Sequence, residues 1–243
     1  MCLSFSDLKL VHASKFDGEM DLDIHIRTTT RYDYSYIDTA VLRIGDETLE
    51  VTSWGEYAIN RIGAVALNSH GGGSVRRGDV VSTLGGYPIF HTKKDDKMNV
   101  FEVMLPHNQT IVISNLKDLV SVKINHASRQ YFGNAVGLLG NFHGTMLARD
   151  GVTDLHDDSN AMGQEWQVRD TDPMLFRSAR APQFPAKCRL PDVAEKEARR
   201  LGEGISEEAA EIACAHVKGE AQAFAACVYD VTATNDLDQA GAY

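Results

Sequence analysis

The sequence has little of what marks several protein classes. Only four of its 243 residues are cysteine, which is too few for a small fold held together mainly by disulfides. No apolar run reaches the roughly 20 residues that a membrane-spanning helix needs, so we expect no membrane span. The net charge of −10 gives the chain no electrostatic reason to bind nucleic acid. A hydrophobic content of 43% is that of an ordinary globular protein.

The charge is unevenly distributed along the chain. Residues 1–144 carry 14 basic and 16 acidic residues, 145–172 carry 2 and 7, 173–191 carry 4 and none, and 192–243 carry 4 and 11. The ordinary interpretation of an acidic run is a solvated surface. The short segment 145–172 also allows a second interpretation, a site for a cation.

Most of the first 137 residues show the pattern of half-buried β-strands. From Leu22 to Ser53 apolar and polar side chains alternate, and a tight turn is predicted at Gly45–Glu47. His25 occupies a polar position of this pattern, so we expect it to be exposed. Many short strands at close spacing are typical of an antiparallel sandwich or meander. Further strands are predicted at Val80–Thr83, Tyr87–His91, Asn99–Leu105, Thr110–Ser114, Leu119–Asn125 and Tyr131–Gly137.

The C-terminal part of the chain predicts helices instead of strands. An ordered loop is expected over residues 145–185, which overlaps a proline-containing connector at 171–190, and a small helical module is expected at 191–243. Ser206, followed by two glutamates, is a favourable N-cap. Apolar residues then recur at helical spacing, which predicts one buried face. The predicted helices span Asp192–Leu201, Ser206–Val217 and Gly219–Asp230.

Catalytic motifs are missing from the sequence. It contains no nucleophile elbow, phosphate-binding loop, dinucleotide fingerprint or zinc-protease motif, and its histidines are scattered. We therefore predict a protein that is not an enzyme. The alternative is a hydrolase that uses His143 or His156 with Asp157, for which the sequence shows no nucleophile.

Two sequence features concern the compartment of the protein. Cys214 and Cys227 lie on the inward faces of consecutive predicted helices, which suits a disulfide, and Cys188 and Cys2 are further disulfide candidates. Buried free cysteines, which behave as small hydrophobic residues, are the alternative. Asn108 begins an Asn-Gln-Thr sequon in a predicted turn, where it is a glycosylation candidate in a secreted protein.

The strongest local motif is Gly137–Gly144, Gly-Leu-Leu-Gly-Asn-Phe-His-Gly, which is followed by Gly163–Val168, Gly-Gln-Glu-Trp-Gln-Val. This pair of motifs resembles the von Willebrand factor type D domain. In that family Gly-Leu-Cys-Gly-Asn-Phe-(Asn/Asp)-Gly precedes an Asp-rich loop and a strand that contains tryptophan. Val100–Leu105 and Thr110–Ser114 resemble a strand pair of the same family. The resemblance covers about residues 2–170, and the tail is similar to the cysteine-containing helical module that often follows such domains. It implies a mainly β fold, an antiparallel sandwich or meander of this type, with a small helical module behind it.

The sequence departs from the family pattern at three places. Leu139 stands where the motif has cysteine, so one family disulfide is expected to be missing. His143 stands where an asparagine or aspartate supplies an oxygen, and imidazole is a poorer calcium ligand. Met1-Cys2 looks like the end of an early family motif, so we expect an N-terminally truncated fragment without its first strands or a signal peptide.

The family motif and the acidic segment together predict a calcium (Ca2+) site. Asn141 offers an amide oxygen, and the carboxylates of Asp150, Asp154, Asp157 and Asp158 lie in the same loop. Calcium takes six to eight oxygen ligands of these kinds. An exposed acidic loop without an ion is the alternative.

The resemblance implies a non-enzymatic module in an extracellular or cell-surface protein. Its expected role is adhesive or structural, with other extracellular or matrix proteins as partners and possible self-association. The alternative is a lipid- or ligand-associated β module of a secreted carrier, which would need an apolar concavity between its sheets.

Overall fold

The computed structural model describes residues 7–31, 34–60, 62–66, 79–95, 98–156, 158–181 and 204–243. The chain divides into two compact units. The larger unit contains the β-sheets and most of the described residues up to 181, and the smaller contains the helices of residues 204–243. None of the helices in the described residues is long and apolar enough to span a membrane.

The larger unit is built from two antiparallel sheets. The first sheet has six strands in sequence order and the second has five, so the fold class predicted from the sequence, mainly β and antiparallel, is confirmed. The strands of the first sheet are β1 (Asp7–Asp17), β2 (Met20–Arg31), β3 (Tyr34–Ile44), β4 (Glu47–Thr52), β5 (Glu56–Ile59) and β6 (Ile62–Ala66). Those of the second are β7 (Asp79–Leu84), β8 (Tyr87–Asp95), β9 (Met98–Met104), β10 (Thr110–Leu116) and β11 (Leu119–Asn125).

A single apolar core joins the two sheets. Successive side chains of a strand point to opposite faces, and in β2 the apolar half of the alternation, Leu22, Ile24 and Ile26, is buried. From the second sheet Phe101 and Ile111 enter the same cluster. The inner faces are therefore filled by side chains from both sheets, and the opposite face of each sheet is left to interact with other parts of the chain or with solvent.

The predicted strand at Tyr131–Gly137 is wrong. The chain forms the short helix α1 (Arg129–Phe132) there, and both aromatic rings at its end are buried beside Phe16, with ring centroids 5.3 and 5.4 Å from it. A strand would have sent Tyr131 and Phe132 to opposite faces of a sheet, whereas one helical turn lets both enter the core.

The chain then passes very close to β1 at Gly137. This residue has φ +155°, and a Cβ built on it would lie 2.3 Å from the carbonyl oxygen of Leu10. The amide of Leu138 donates to the carbonyl of Lys9 at 3.1 Å. The glycine that opens the family-like motif is thus required by backbone packing against the first strand.

Several elements of the larger unit were not predicted from the sequence, namely β1, β5, β6 and a helix after the acidic loop. In β1 the alternation is interrupted by a register shift between Lys9 and Val11, which hides the period-two pattern. The segment expected to be a loop contains the helix α2 (Ser159–Glu165), which begins at an N-cap aspartate. Residues 171–181, the first part of the expected connector, pack against the first sheet and are described with the site below.

The smaller unit consists of short helices around a small core. It contains α3 (Glu207–Ala213) and α4 (Ala221–Thr234), with 3-10 turns at Ala215–Val217 and Leu237–Ala242. The hydroxyl of Ser206 accepts from the Ala209 amide at 3.2 Å, as expected of an N-cap. These helices lie where two of the predicted ones do, and the predicted helix at Asp192–Leu201 lies outside the described residues.

Candidate functional site

Asn141 closes the turn of the family-like motif. Its side-chain oxygen accepts from the amides of His143 and Thr145, both at 2.9 Å. Its own amide donates to the Thr145 carbonyl at 2.9 Å. The asparagine therefore has a complete local role, which is to hold the turn from which the acidic loop begins.

Asp150 closes the next turn in the same way. One carboxylate oxygen accepts from the amides of Val152 and Thr153 at 2.9 and 2.8 Å, and the other accepts from the Thr153 hydroxyl at 2.6 Å. The hydroxyl and the two amides stabilise the charged form, which lowers the pKa of Asp150 although it is exposed.

The remaining described carboxylates of the loop also bond to nearby amides. Asp154 accepts from the His156 amide at 2.8 Å. Asp158 caps helix α2, accepting from the amides of Asn160 and Ala161 at 2.9 and 3.0 Å. Such caps satisfy the donors that the first turn of a helix leaves unpaired.

The calcium hypothesis requires these oxygens to converge. Within the described residues, no group of three or more His, Cys, Asp or Glu side chains is placed to hold a metal ion. Asp150 and Asp158 instead serve separate turns, so the described donors do not fit a calcium site. Asp157 lies outside the described residues, and calcium binding stays a prediction.

The histidines of the hydrolase alternative both lie at the surface. His143 is exposed and meets Phe142 edge-on, with ring centroids 5.7 Å apart. The side chain of His156 is 85% exposed, and its Nδ1 lies 3.5 Å from a carboxylate oxygen of Asp154. An exposed ring beside an exposed carboxylate encloses no substrate.

The second half of the family-like motif anchors the loop to the first strand. Trp166 is buried, and its indole N–H donates to the Leu147 carbonyl at 3.0 Å. The carbonyl of Trp166 accepts from the Lys9 amide at 2.8 Å. The Val168 amide donates to the backbone carbonyl of Asp7 at 2.8 Å. The residues around Trp166 thus follow the end of α2 and run beside β1.

Arg149 connects the acidic loop to the segment beyond Trp166. Its guanidinium donates to the carbonyls of Glu165 and Gln167 at 2.8 and 2.7 Å, and to both carboxylate oxygens of Asp172 at 2.9 and 3.0 Å. Burial disfavours the charged form of Asp172, but the hydrogen bonds from Arg149 and Lys9 outweigh this and hold its pKa far below the usual range. Arg149 therefore organises several chain segments at once.

After Asp172 the chain crosses the outer face of the first sheet, and we call residues 172–180 the strap. The ring of Phe176 lies 4.4 Å from the guanidinium carbon of Arg27. Phe176 and Leu175 also form a small buried cluster with Val41 of β3. The strap thus covers, with apolar side chains, the side of the first sheet that is opposite the main core.

Polar contacts fix the second half of the strap. Arg177 donates from its amide and its Nε to the two carboxylate oxygens of Glu50, at 2.8 and 2.9 Å. The hydroxyl and carbonyl of Ser178 accept from Arg27 at 3.0 and 2.8 Å. Arg180 donates to the Thr28 carbonyl at 3.2 Å. Basic residues of 173–191 thus meet acidic residues and carbonyl oxygens of the sheet.

Charged residues on the covered face are paired. Arg27 makes a two-pronged bond with Asp7 at 2.8 and 2.7 Å. Asp23 accepts from Arg43 and lies 2.8 Å from the Nδ1 of His12. Burial raises the pKa of Asp23, but these partners outweigh it and lower the pKa to about 2. Pairing of this kind is what burial of charge requires.

His25 contradicts the prediction of an exposed side chain. It is 0% exposed, and its ring lies 6.4 Å from that of Phe176 between centroids. Neither ring nitrogen has a hydrogen-bond partner, and burial lowers its pKa to about 4. The alternation correctly assigned His25 to the outer face of the sheet, but it carried no information about the strap that covers that face.

A signal for the covered face was present in the sequence. Leu175 and Phe176 are adjacent apolar residues inside a basic segment, and they follow the Trp166 motif by fewer than a dozen residues. Taken alone the pattern predicts a connector, because the polar residues of β1 and β2 that it contacts lie about 150 residues earlier in the chain.

The cysteine prediction is confirmed where the structure describes it. Cys214 and Cys227 form a disulfide with a Cα–Cα distance of 5.9 Å. Cys2 and Cys188 lie outside the described residues. Asn108 is exposed in the 3-10 turn between β9 and β10, with φ +59°, whereas the side chain of the following Gln109 is buried.

The sequence matches no protein-family model, and no curated protein has significant similarity to it. The resemblance to the von Willebrand factor type D domain therefore rests on the motif residues of this chain.

Proposed function

We propose that the protein is a non-catalytic module of an extracellular or cell-surface protein and acts in matrix or adhesive assembly. Its partners are other extracellular or matrix proteins, or a second copy of the same chain. The observation that carries the proposal is the Cys214–Cys227 disulfide, because such bonds form and persist in oxidising compartments.

The disulfide is central to the smaller unit. Among the residues that the structure describes there, the buried core consists of five, Ala210, Cys214, Cys227, Val231 and Ala240. A unit with so little apolar core needs a cross-link to fold stably. An oxidising compartment is therefore a condition for the folding of this part of the chain.

The acidic loop supports a structural role for the larger unit. Its described polar side chains close turns, cap α2 or bind the strap, and its histidines are exposed. Asn141, Arg149 and Trp166 all act on the backbone of their own unit. Such an arrangement supports a rigid module that presents a surface rather than a reaction centre.

The compartment is tested by mass spectrometry of the protein isolated from its native source without reduction. We expect a peptide cross-linked between Cys214 and Cys227. Alkylation of both cysteines as free thiols would contradict an extracellular location. Assembly is tested by sedimentation of the full chain across a concentration series and by its binding to immobilised matrix proteins, and a chain inert in both would contradict the adhesive role.

Calcium binding is a separate proposal, supported by the family resemblance and by the crowding of carboxylates in one loop. Melting of the full chain in millimolar calcium and in EDTA tests it, because an ion that binds only the native state raises the melting temperature. Asp157→Asn should remove the increase, and Asp46→Asn, in the exposed turn between β3 and β4, should keep it. Equal melting temperatures in calcium and in EDTA would contradict the calcium proposal. They would not affect the proposal that the protein is a non-catalytic extracellular module.

N-glycosylation of Asn108 is supported by its exposed position in the β9–β10 turn. A glycosidase should reduce the mass of the protein secreted from a eukaryotic cell. Asn108→Gln should abolish this mass change, and Thr110→Ser, which retains the sequon, should preserve it. An unmodified Asn108 in the secreted protein would contradict the site.

The carrier alternative receives no specific support from the described core. Leu42, Phe101 and Ile111 are fully buried between the sheets and belong to one contiguous cluster. A hydrophobic dye or fatty acid that bound the native chain stoichiometrically would favour the carrier.

A further inference from the structure

The strap covers a buried histidine, His25, and this arrangement implies a pH response that goes beyond the proposed function. His25 projects from the middle of β2 to the outer face of the first sheet, where Phe176 of the strap lies over it. We propose that the strap is an acid-released cover of the first sheet, and that protonation of His25 is the event that releases it.

The strap is held differently from the rest of the larger unit. Within residues 172–180 the described backbone forms neither helix nor strand. Its apolar contact is a cluster of three buried residues, Val41, Leu175 and Phe176, whereas the main core contains residues of both sheets. Segments with few apolar contacts open at lower free energy than the core does. The strap is therefore the cover that can leave while the sheets stay folded.

His25 is poorly prepared to carry charge while the strap is closed. It is fully buried and its two ring nitrogens have no hydrogen-bond partner. A buried imidazolium would need acceptors for two N–H groups, and the described structure offers none at hydrogen-bonding distance. Opening of the strap brings water to the ring and removes this penalty.

Charged groups surround His25 on every packed element, and their effects oppose one another. Asp23 on its own strand and Asp172 in the strap favour the protonated ring, whereas Lys9 of β1 and Arg43 of β3 disfavour it. Burial is the largest influence and lowers the pKa from 6.5 to about 4. Further out on the covered face lie other charged or titratable residues, His12, Arg27 with Asp7, and Arg177 with Glu50.

The sign of the effect follows from the two pKa values. With the strap open, the ring titrates near 6.5, and with the strap closed it titrates near 4. Between these pH values the open form binds a proton that the closed form excludes, so acidification favours opening. Above pH 6.5 there is no effect. The difference of about 2.5 pH units allows a shift of at most about 300-fold in the ratio of open to closed forms.

Two carboxylates of the network do not account for release in this range. The pKa of Asp23 is lowered to about 2. The pKa of Asp172 is also held far below its usual range. Both stay charged while His25 titrates, so the bonds of Asp172 to Lys9 and Arg149 oppose release. The proposal assigns the pH dependence between 6.5 and 4 to His25, and the His25 variants below separate it from the other titratable groups of this face.

Hydrogen–deuterium exchange of the full chain from pH 7 to pH 4.5, corrected for intrinsic exchange rates, tests the proposal. We expect strap protection, including that of the Arg177 amide bonded to Glu50, to fall on the order of 50-fold. Peptides from β10 should keep their protection. A strap with constant protection, or a strap and β10 that lose protection together, would overturn the proposal.

Variants separate His25 from other acid effects. His25→Gln and His25→Leu cannot take up the proton, so strap protection should no longer depend on pH between 6.5 and 4.5. His91→Gln is the matched control, because burial also lowers the pKa of His91 but this residue lies in the second sheet. A wild-type pH response in His25→Gln would contradict the assignment. If neither His25 variant folds, an NMR titration of the wild-type His25 ring decides, and a pKa above 6 with the strap closed would contradict the proposal.

Discussion

At the scale of single residues, the larger unit depends on side chains that bond to the backbone of distant segments. Arg149 contacts the carbonyls on both sides of Trp166 as well as Asp172. A guanidinium serves such a position because it presents several donors in a fixed plane, which an ammonium does not. The loop and the strap are thus fixed together through one side chain.

This role makes Arg149→Lys more harmful than its conserved charge suggests. We expect a loss of about 1–3 kcal/mol in the free energy of unfolding, because buried carbonyls and Asp172 lose donors. Urea unfolding measures it. Arg169→Lys is the control, since the side chain of Arg169 is about half exposed and pairs with Glu165 four residues earlier, and exposed ion pairs contribute little. Equal losses in the two variants would refute the role assigned to Arg149.

A second residue-scale prediction concerns the two glycines at the ends of the family-like motif. Gly137 and Gly144 both have positive φ, but a Cβ would meet the Leu10 carbonyl only at Gly137, and nothing lies within 4 Å at Gly144. Gly144→Ala therefore carries backbone strain alone, about 1–2 kcal/mol. Gly137→Ala adds displacement of β1, so its unfolding free energy should fall by at least about 2 kcal/mol more. Variants of similar stability would show that β1 does not need this close approach.

At the scale of elements, the sequence predicted those whose signal is local. Apolar alternation located β2, β3 and β4 and the hairpins of the second sheet, and Ser206 located the start of α3. The Tyr131–Gly137 error arose because a short apolar run fits a strand or a helical turn equally well. The strap could not be predicted, because its structure depends on partners about 150 residues away and not on its own periodicity.

The smaller unit offers a prediction at the element scale. Removing its disulfide by Cys214→Ala with Cys227→Ala should cost about 3 kcal/mol, the magnitude expected for closing a loop of this length. Because the described part of this unit has a core of only five residues, the helices α3 and α4 should lose most of their order. NMR spectra of the full-length variant would report this as collapsed dispersion for residues 204–243 and unchanged signals for the sheets. Preserved helix signals would indicate that the core suffices without the cross-link.

At the scale of the whole molecule, acid acts on the larger unit in two stages. His25 favours strap opening as the pH falls from 6.5 to about 4. Asp23 acts later, because its folded-state pKa of about 2 lies below its ordinary value of 3.8. Its stabilising contribution is complete above pH 3.8 and is lost as the pH falls through 2.

This second stage is tested with Asp23→Asn. The variant should lose about 2 kcal/mol of unfolding free energy at pH 7, the amount that the shift in the pKa of Asp23 represents. Near pH 2 the wild type also loses the charge, so the two proteins should approach each other in stability. Urea unfolding at both pH values measures the difference, and a gap that stays constant with pH would contradict the electrostatic role of Asp23.

The bonds between the first strand and the strap also determine when the larger unit can finish folding. Lys9 and Asp172 are 163 residues apart, and β1 has Trp166 and Val168 as backbone partners. Structures dominated by such distant contacts fold slowly. During synthesis, β1 emerges long before these partners and keeps an open edge, which is a site for pairing with other chains. A chain interrupted before Trp166 would leave the amide of Lys9 and the carbonyl of Asp7 on that edge without their partners, so premature termination of this protein should yield an aggregating product rather than a smaller stable one.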